Sequence, residues 1–259
     1  MDDVAGALRR TLKHFVPQPL RQKIRTELFR QSEKLHHYTR ERWTRPAYSY
    51  SQFGEDAIAR AFFEEKRTQR GFYVDVGAHS PKFYSNTYHF YRQGWRGINI
   101  EPTPGRIAMF NRMRPRDTNL ELAISDREEE LTFFVFESEG LMNTADPRQA
   151  RTYAAELRET PKQVKVRARP LRDALAEHLT PATKIDLMSV DVEGYDAAVL
   201  RSNDWTRYRP DLLMVECLVA DVEEVQRSET AGILDQAGYG LYAWAPKTAF
   251  FVPMDRKAD

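Results

Sequence analysis

The segment Gly71-Phe72-Tyr73-Val74-Asp75-Val76-Gly77-Ala78-His79 constrains the fold most. Its apolar, aromatic and β-branched run reads as a short buried strand that a glycine stops. A second strand, Gly97–Glu101, ends on an acid just before Pro102. A third, Ile185–Asp191, runs into Asp191-Val192-Glu193-Gly194, two carboxylates and another glycine. Strand–glycine, strand–acid and strand–carboxylate, in that order, describe an α/β nucleotide-type site. The glycine lets backbone approach a ligand, the acid can hold a ribose, and the later carboxylates bring charge to the place of chemistry.

Helical segments alternate with these strands. Ser51 caps a helix with Glu55 and Asp56 in its first turn and Ile58, Phe62 and Phe63 on its apolar face. A helix over 86–92 is closed by Gly94, and Pro104 opens another that runs to Arg112. Leu120–Ile124 reads as a strand followed by the turn Ser125-Asp126. Helices follow at Leu171–Leu179, around Ala197–Leu200, and at Val222–Ala237, the last closed by Gly238. Leu212–Cys217 is a further strand, and Gly240–Trp244 with Ala249–Val252 form an antiparallel edge pair. Leu131–Phe136 and Val164–Arg167 are strand-like and flank a polar stretch, so about 131–168 reads as an insertion over one end of the sheet. Trp95, Phe133, Phe134 and Phe136 read as core. The alternation predicts a mainly parallel sheet covered by helices on both faces, with its ligand at the carboxyl ends of the strands. Asp75, Gly77, Glu101, Asp126, Asp191 and Glu216 all fall at or just past such ends.

The 259 residues suffice for one α/β domain, 47–259, plus an appendage, 1–46. That appendage carries eleven Lys or Arg against five Asp or Glu, about +6, with partly helical apolar spacing. It fits an amphipathic helix docked on the domain or on a second copy, peripheral attachment to an anionic membrane at the inner face, or a disordered tail. The whole chain has a net charge of +1, which gives no nucleic-acid signature. The single cysteine, Cys217, excludes an internal disulfide and points to the cytoplasm. No apolar run approaches the roughly 20 residues of a membrane span, and the N-terminus lacks a secretory pattern.

The turn Gly77-Ala78-His79-Ser80-Pro81 has one glycine where a dinucleotide fold carries G-x-G-x-x-G, and no phosphate loop occurs. An adenosine ligand without phosphates fits better, S-adenosylmethionine above all, with Glu101 accepting from both ribose hydroxyls.

The same residues resemble the FkbM-type S-adenosylmethionine-dependent methyltransferases. The resemblance runs through Ser51–Asp56, Phe72–His79, Tyr84–Tyr88, Gly94–Pro102, Arg114–Asp117, Ala123–Asp126, Asp191–Gly194 and Arg209-Pro210. It covers roughly 50–220 and leaves the first 46 residues aside. It implies a class I (Rossmann-like) seven-stranded methyltransferase sheet and O-methylation of a sugar, glycan or natural-product hydroxyl.

An alcohol acceptor needs its proton removed, by a general base or by a metal that lowers its pKa. Asp191 and Glu193 close one strand and Glu216 nearly closes its neighbour. These carboxylates serve as a base or, through Asp191 and Glu216, hold Mg²⁺; alternatively Asp191 binds the methionine moiety or a backbone amide. His79 follows the glycine turn as a second candidate base or as pocket wall. Candidate cofactor contacts are Asp75, Gly77, Ala78, Asn86, Thr87 and Glu101, with Ser125 and Asp126 at the adenine. Two other classes stay open: a non-catalytic methyltransferase-like module docking on membrane or a glycan-assembly partner, and an NAD-type oxidoreductase, which the single glycine disfavours.

Overall fold

The computed structural model describes residues 48–137, 140–219 and 221–256. The expectations for residues 1–46 fall outside them. Strand β1 (Phe72–Val76) is an inner strand of a seven-stranded sheet. It pairs in parallel with β2 (Arg96–Ile100) on one side and β7 (Leu187–Val190) on the other. Beyond β2 lies β3 (Thr118–Leu120), also parallel. Beyond β7 lies β8 (Leu212–Glu216), followed by β10 (Thr248–Pro253), antiparallel both to β8 and to the edge strand β9 (Tyr239–Ala245). The order β3-β2-β1-β7-β8-β10-β9 is the seven-stranded sheet expected of the class I methyltransferase fold.

Strand alternation divides the core. Val74 and Val76 join Ile98, Ile100, Met188, Val190, Leu213 and Val215 in one apolar layer. Helices α5 (Leu171–His178), α6 (Asp196–Arg201) and α8 (Glu229–Gln236) cover it. Tyr73 faces the other way with Leu187, Leu212, Met214 and Phe250, under α1 (Glu55–Glu65) and α2 (Tyr88–Arg92). Burial on both faces explains why the central strands read as near-continuous apolar runs. The strand order reverses between β1 and β7, so a crevice opens at their carboxyl ends.

Several boundaries differ from the sequence reading, each for a local reason. Leu120–Ile124 is not one strand. Its first residue ends β3, while β4 (Ala123–Ile124) leaves to pair with β6 (Lys162–Arg169), the middle strand of a separate three-stranded sheet. Strand β5 (Glu129–Val135) is the antiparallel partner of β6. The polar stretch between them contains helix α4 (Pro147–Leu157), started by Asp146 at its N-cap and Pro147 in its first turn. The helix expected from Pro104 begins at Ile107, as α3 (Ile107–Met113). Helix 222–237 is two helices, α7 (Val222–Arg227) and α8. Ser228 ends the first in an extended conformation and caps the second by accepting from Ala231 N–H. The N-cap of α1 is Gly54, at φ 91°, yet Ser51 still serves the helix, since its hydroxyl accepts from Asp56 N–H at 3.1 Å. Among the described residues no helix is long and apolar enough to cross a membrane.

Candidate active site

A cavity of about 510 Å³ opens at the carboxyl ends of β1, β2, β7 and β8. That volume suits a small-molecule site. The β1 loop is fixed first: Gly77 and Ala78 N–H both donate to Ile100 O, at 2.9 and 3.1 Å. Glu101, buried at the end of β2, accepts from His79 N–H at 2.8 Å and from Thr103 N–H at 2.9 Å, one on each carboxylate oxygen. Each oxygen keeps a second lone pair, and Glu101 lines the cavity. These two acceptor positions therefore fit a pair of vicinal hydroxyls such as an adenosine ribose presents.

Beneath the loop lies a buried polar network built on Arg114, whose side chain is fully enclosed. Its Nε donates to Pro81 O at 2.7 Å, Nη1 to Thr87 Oγ1 at 2.8 Å and Asn99 Oδ1 at 2.9 Å, and Nη2 to Ser85 Oγ at 2.6 Å. Thr87 passes the contact on, donating to Asp75 Oδ2 at 2.5 Å. Burial pushes the Asp75 carboxyl up, and the Arg114 charge opposes the shift. Asn86 donates to Ser189 Oγ at 3.1 Å across the floor.

The acids after β7 and β8 converge. Asp191, Glu193 and Glu216 each bring a carboxylate oxygen within 4.8 Å of the others. Burial and then mutual repulsion hold Asp191 and Glu216 above the usual carboxylate range, and burial does the same for Glu193. The Lys247 ammonium opposes this in all three. Glu216 Oε2 is buried and has no hydrogen-bond partner among the described residues. Glu193 accepts from the Tyr153 phenol, which α4 carries in from the insertion. Asp196 holds the intervening turn by accepting from Val192 N–H at 3.3 Å and Gly194 N–H at 3.2 Å. Three carboxylates this close suit a shared proton or a hard cation.

His79 lines the same cavity beside a cation. Arg106 Nη1 lies 2.5 Å from His79 Nδ1 and also reaches Gly140 O at 3.4 Å. Burial, then the Arg106 charge, lowers the His79 pKa to about 4. The imidazole is therefore neutral near pH 7, and its conjugate acid is too strong for an efficient base there. The insertion also ties itself to the rim elsewhere. Asn143 Nδ2 donates to Thr103 Oγ1 at 3.3 Å, and Thr144 Oγ1 donates to Glu193 O at 2.7 Å.

Asp75, Gly77, Ala78, His79, Asn86, Glu101, Asp191, Glu193 and Glu216 all line this one cavity. Thr87, Ser125 and Asp126 do not. Thr87 is buried behind Asp75, as above. Ser125 donates to Glu129 at 2.7 Å within the small sheet, and Asp126 is exposed beyond it, because β4 has left the main sheet. Their neighbours Ala123 and Ile124 line the cavity instead, and so does Phe133, read as core. The sequence reading gave no role to Arg106, Arg114, Tyr153 or Lys247. Arg114 sat inside a quoted motif, but a charged residue flanked by Pro115 reads as solvated loop. Tyr153 became readable only with the Asp146-Pro147 helix start.

Fold and site together define a class I methyltransferase. Residues 75–241 match the Methyltransferase FkbM domain, and the chain belongs to that family. No curated protein matches it significantly. Among solved structures it is similar to an O-methyltransferase from Bacillus cereus in complex with S-adenosylhomocysteine, at 8% identity and a TM-score of 0.40, over 94% of this chain and 96% of that one. It is also similar to the Burkholderia thailandensis 1,6-didemethyltoxoflavin-N1-methyltransferase with bound 1,6-didemethyltoxoflavin and S-adenosylhomocysteine, at 11% identity and a TM-score of 0.39, over 89% and 87%. A third is precorrin-6y C5,15-methyltransferase from Geobacter metallireducens, at 10% identity and a TM-score of 0.37, over 76% and 86%. The fold assignment rests on strand order, not on these distant likenesses.

Proposed function

We propose that the chain methylates a hydroxyl of a sugar, glycan or glycosylated natural product, with S-adenosylmethionine as donor. The observation that carries this reading is the carboxylate cluster Asp191–Glu193–Glu216, which shares one cavity with Glu101. S-adenosylmethionine supplies an electrophilic methyl group on a sulfonium. Glu101 offers its two remaining lone pairs to the ribose hydroxyls. Asn86 and Asp75, which line the same cavity, serve the amino-acid end. Asp191 and Glu216 receive the acceptor's proton. Their raised pKa values bring them closer to the working pH than an ordinary carboxylate, which makes them stronger bases. Tyr153 holds Glu193 by one oxygen, and Lys247 keeps charge on the cluster from being prohibitive. His79, with its depressed pKa and Arg106 at Nδ1, positions the cavity wall rather than moving a proton.

One observation favours a second version of the same chemistry. The orphaned Glu216 Oε2 is the group a divalent cation such as Mg²⁺ would satisfy, alongside Asp191 and Glu193. The alternative of a non-catalytic module predicts cofactor binding without turnover.

The test is calorimetry and melting with S-adenosylhomocysteine and NAD, followed by a screen of free sugars, nucleotide sugars and lipid-linked glycans for methylated product. Stabilisation by S-adenosylhomocysteine and not by NAD is expected. Active-site turnover that stops in chelator and returns with Mg²⁺ selects the cation version; turnover indifferent to chelator selects the base. Failure to bind S-adenosylhomocysteine overturns the reading.

A further inference from the structure

Six non-glycine residues have positive φ among the described residues, and four of them, His79, Tyr84, Glu193 and Lys247, line the one cavity. A bulky side chain in the left-handed region is strained, and such strain gathers where function demands a particular geometry. His79 and Glu193 already have places in the site. Tyr84 does not, and Lys247 has only its charge beside the acid cluster.

Tyr84 sits at φ 55° with 53% of its surface exposed. Nothing in its own packing explains the conformation. The chain around it does. Arg114 holds the turn from both ends, through Pro81 O and Ser85 Oγ, and Ser85 N–H donates to Tyr50 O at 2.9 Å. A fully buried arginine thus fixes the turn that carries an exposed aromatic residue of the cavity lining. The Tyr84 phenol has no hydrogen-bond partner among the described residues. The same is true of the Gln52 amide and the Lys247 ammonium, which line the cavity too and lie on the loop before α1 and the turn between β9 and β10. Lys247 lies 5.8 Å from the Phe53 ring centroid, and its charge is felt at Asp191, Glu193 and Glu216. Leu218 adds an exposed apolar surface to the same wall.

An exposed aromatic ring and polar heads without hydrogen-bond partners among the described residues, all lining one cavity, have a chemical complement. The ligand must have an apolar C–H face and a rim of hydroxyls. A planar phenol would use the ring but leave Gln52 and Lys247 idle; a polyol without a ring would do the reverse. Building on the methyl-transfer reading above, we propose that Tyr84, with Gln52 and Lys247, forms the acceptor platform of this enzyme, and that the acceptor is a pyranose whose C–H face stacks on the Tyr84 ring. The ring hydroxyls then meet Gln52 and Lys247, and one of them reaches the Asp191–Glu216 carboxylates.

The strain supplies a discriminating test. Glycine at position 84 removes the ring and also relieves the left-handed backbone, so a purely structural Tyr84 predicts a different result from a recognition residue. The full chain, saturated with S-adenosylhomocysteine, is examined by saturation-transfer NMR against methyl β-D-glucopyranoside, methyl α-L-rhamnopyranoside and methyl 4-hydroxybenzoate. The expected result is saturation concentrated on the C–H protons of one pyranose face, reduced at least fivefold in Tyr84→Gly and in Gln52→Ala. In Tyr84→Gly the melting temperature should be unchanged or higher, and S-adenosylhomocysteine affinity should stay within twofold. Equal pyranoside saturation in Tyr84→Gly would overturn the proposal and leave the sugar-acceptor reading standing. No pyranoside signal from the wild type, or preference for the hydroxybenzoate, would overturn the proposal and the sugar acceptor with it, leaving only S-adenosylmethionine-dependent methyl transfer. Absence of S-adenosylhomocysteine binding by the wild type would instead overturn that reading, and this inference with it.

Discussion

Gly77 and Asp191 meet backbone to backbone: a Cβ added to Gly77 would lie 1.7 Å from Asp191 O. The glycine that follows β1 is thus the surface against which the backbone of the first acid of the cluster rests. Its φ of 81° adds a second reason for glycine. Two sequence features more than a hundred residues apart are one structural contact, so the β1 turn cannot change without moving the acids.

Gly77→Ala tests this contact. The methyl must displace Asp191 or the β1 loop, and both line the cavity. Melting should fall by roughly 4–15 °C, for a loss of about 2–4 kcal/mol. S-adenosylhomocysteine affinity should fall at least tenfold. A substituted protein with wild-type affinity would show that the loop has room the geometry denies it.

Glu101→Ala removes the carboxylate that caps His79 and Thr103 N–H and is assigned to the ribose. Charge-assisted hydrogen bonds contribute about 1.5–3 kcal/mol each. Calorimetry should show S-adenosylmethionine binding weakened at least tenfold, with a folded protein of modestly lower melting temperature. Unchanged affinity would detach Glu101 from the ribose and leave it as a backbone cap.

The acid cluster makes stability depend on pH in a definite direction. Its folded-state pKa values are raised, so the folded state binds protons more tightly than the unfolded state. The resulting stability is fully present below the unfolded carboxylate pKa of about 4 and is lost as pH rises through the folded values toward and beyond neutrality. Glu216→Gln removes one member of the repulsive set. At pH 8, without added cation, it should raise the melting temperature by roughly 2–8 °C and flatten the profile between pH 5 and 8. Asp191→Asn should flatten the profile likewise and abolish turnover, while cofactor affinity stays within a few-fold. A wild-type melting temperature that rises over this interval would contradict the assigned burial of the cluster.

Much of this site was legible because strands advertise their ends. Phe72–Val76, Gly97–Ile100 and Leu212–Glu216 are apolar runs closed by a glycine or an acid, and the alternation fixes which face each residue takes. What escaped was decided by tertiary contacts. Nothing local distinguishes Leu120 from Ile124, yet a strand exchange between sheets separates them, and with it Ser125 and Asp126 leave the cavity. The break at Ser228 was readable as a serine cap, but continuous apolar spacing concealed it. Arg114 is the extreme case: its partners Pro81, Ser85 and Thr87 come from the loop after β1 and Asn99 from β2, and no spacing rule joins them to it.

That network yields its own prediction. Arg114→Met deletes the cation that faces buried Asp75 through Thr87 and leaves four acceptors without their donor. Breaking a buried charge pairing costs about 3–5 kcal/mol, so melting should fall by roughly 6–20 °C. Arg114→Lys keeps the charge without the fork and should lie between. Adding Asp75→Asn to Arg114→Met should recover part of the loss, because the uncompensated carboxylate is gone. Strict additivity of the two substitutions would mean that Arg114 and Asp75 do not sense each other.

Three consecutive residues of the insertion meet the site in different ways. Met142 lines the cavity and makes no polar tie to its frame. Asn143, its neighbour, does: it accepts from Phe136 N–H at 2.9 Å and donates to Thr103 Oγ1, the residue whose own N–H rests on Glu101. Thr144 ties the other side to Glu193 O. Loops over such a site set acceptor choice, and their anchoring sets how firmly the site is held. Met142→Ala should therefore raise the acceptor KM several-fold and leave S-adenosylhomocysteine affinity within twofold. Asn143→Ala should weaken S-adenosylhomocysteine binding as well, since the Thr103–Glu101 turn loses its outer support. Both constants are obtained from one titration series on each purified protein. Equal effects of the two substitutions on cofactor affinity would show that the insertion acts as a single body and that acceptor and cofactor are not read by separate residues within it.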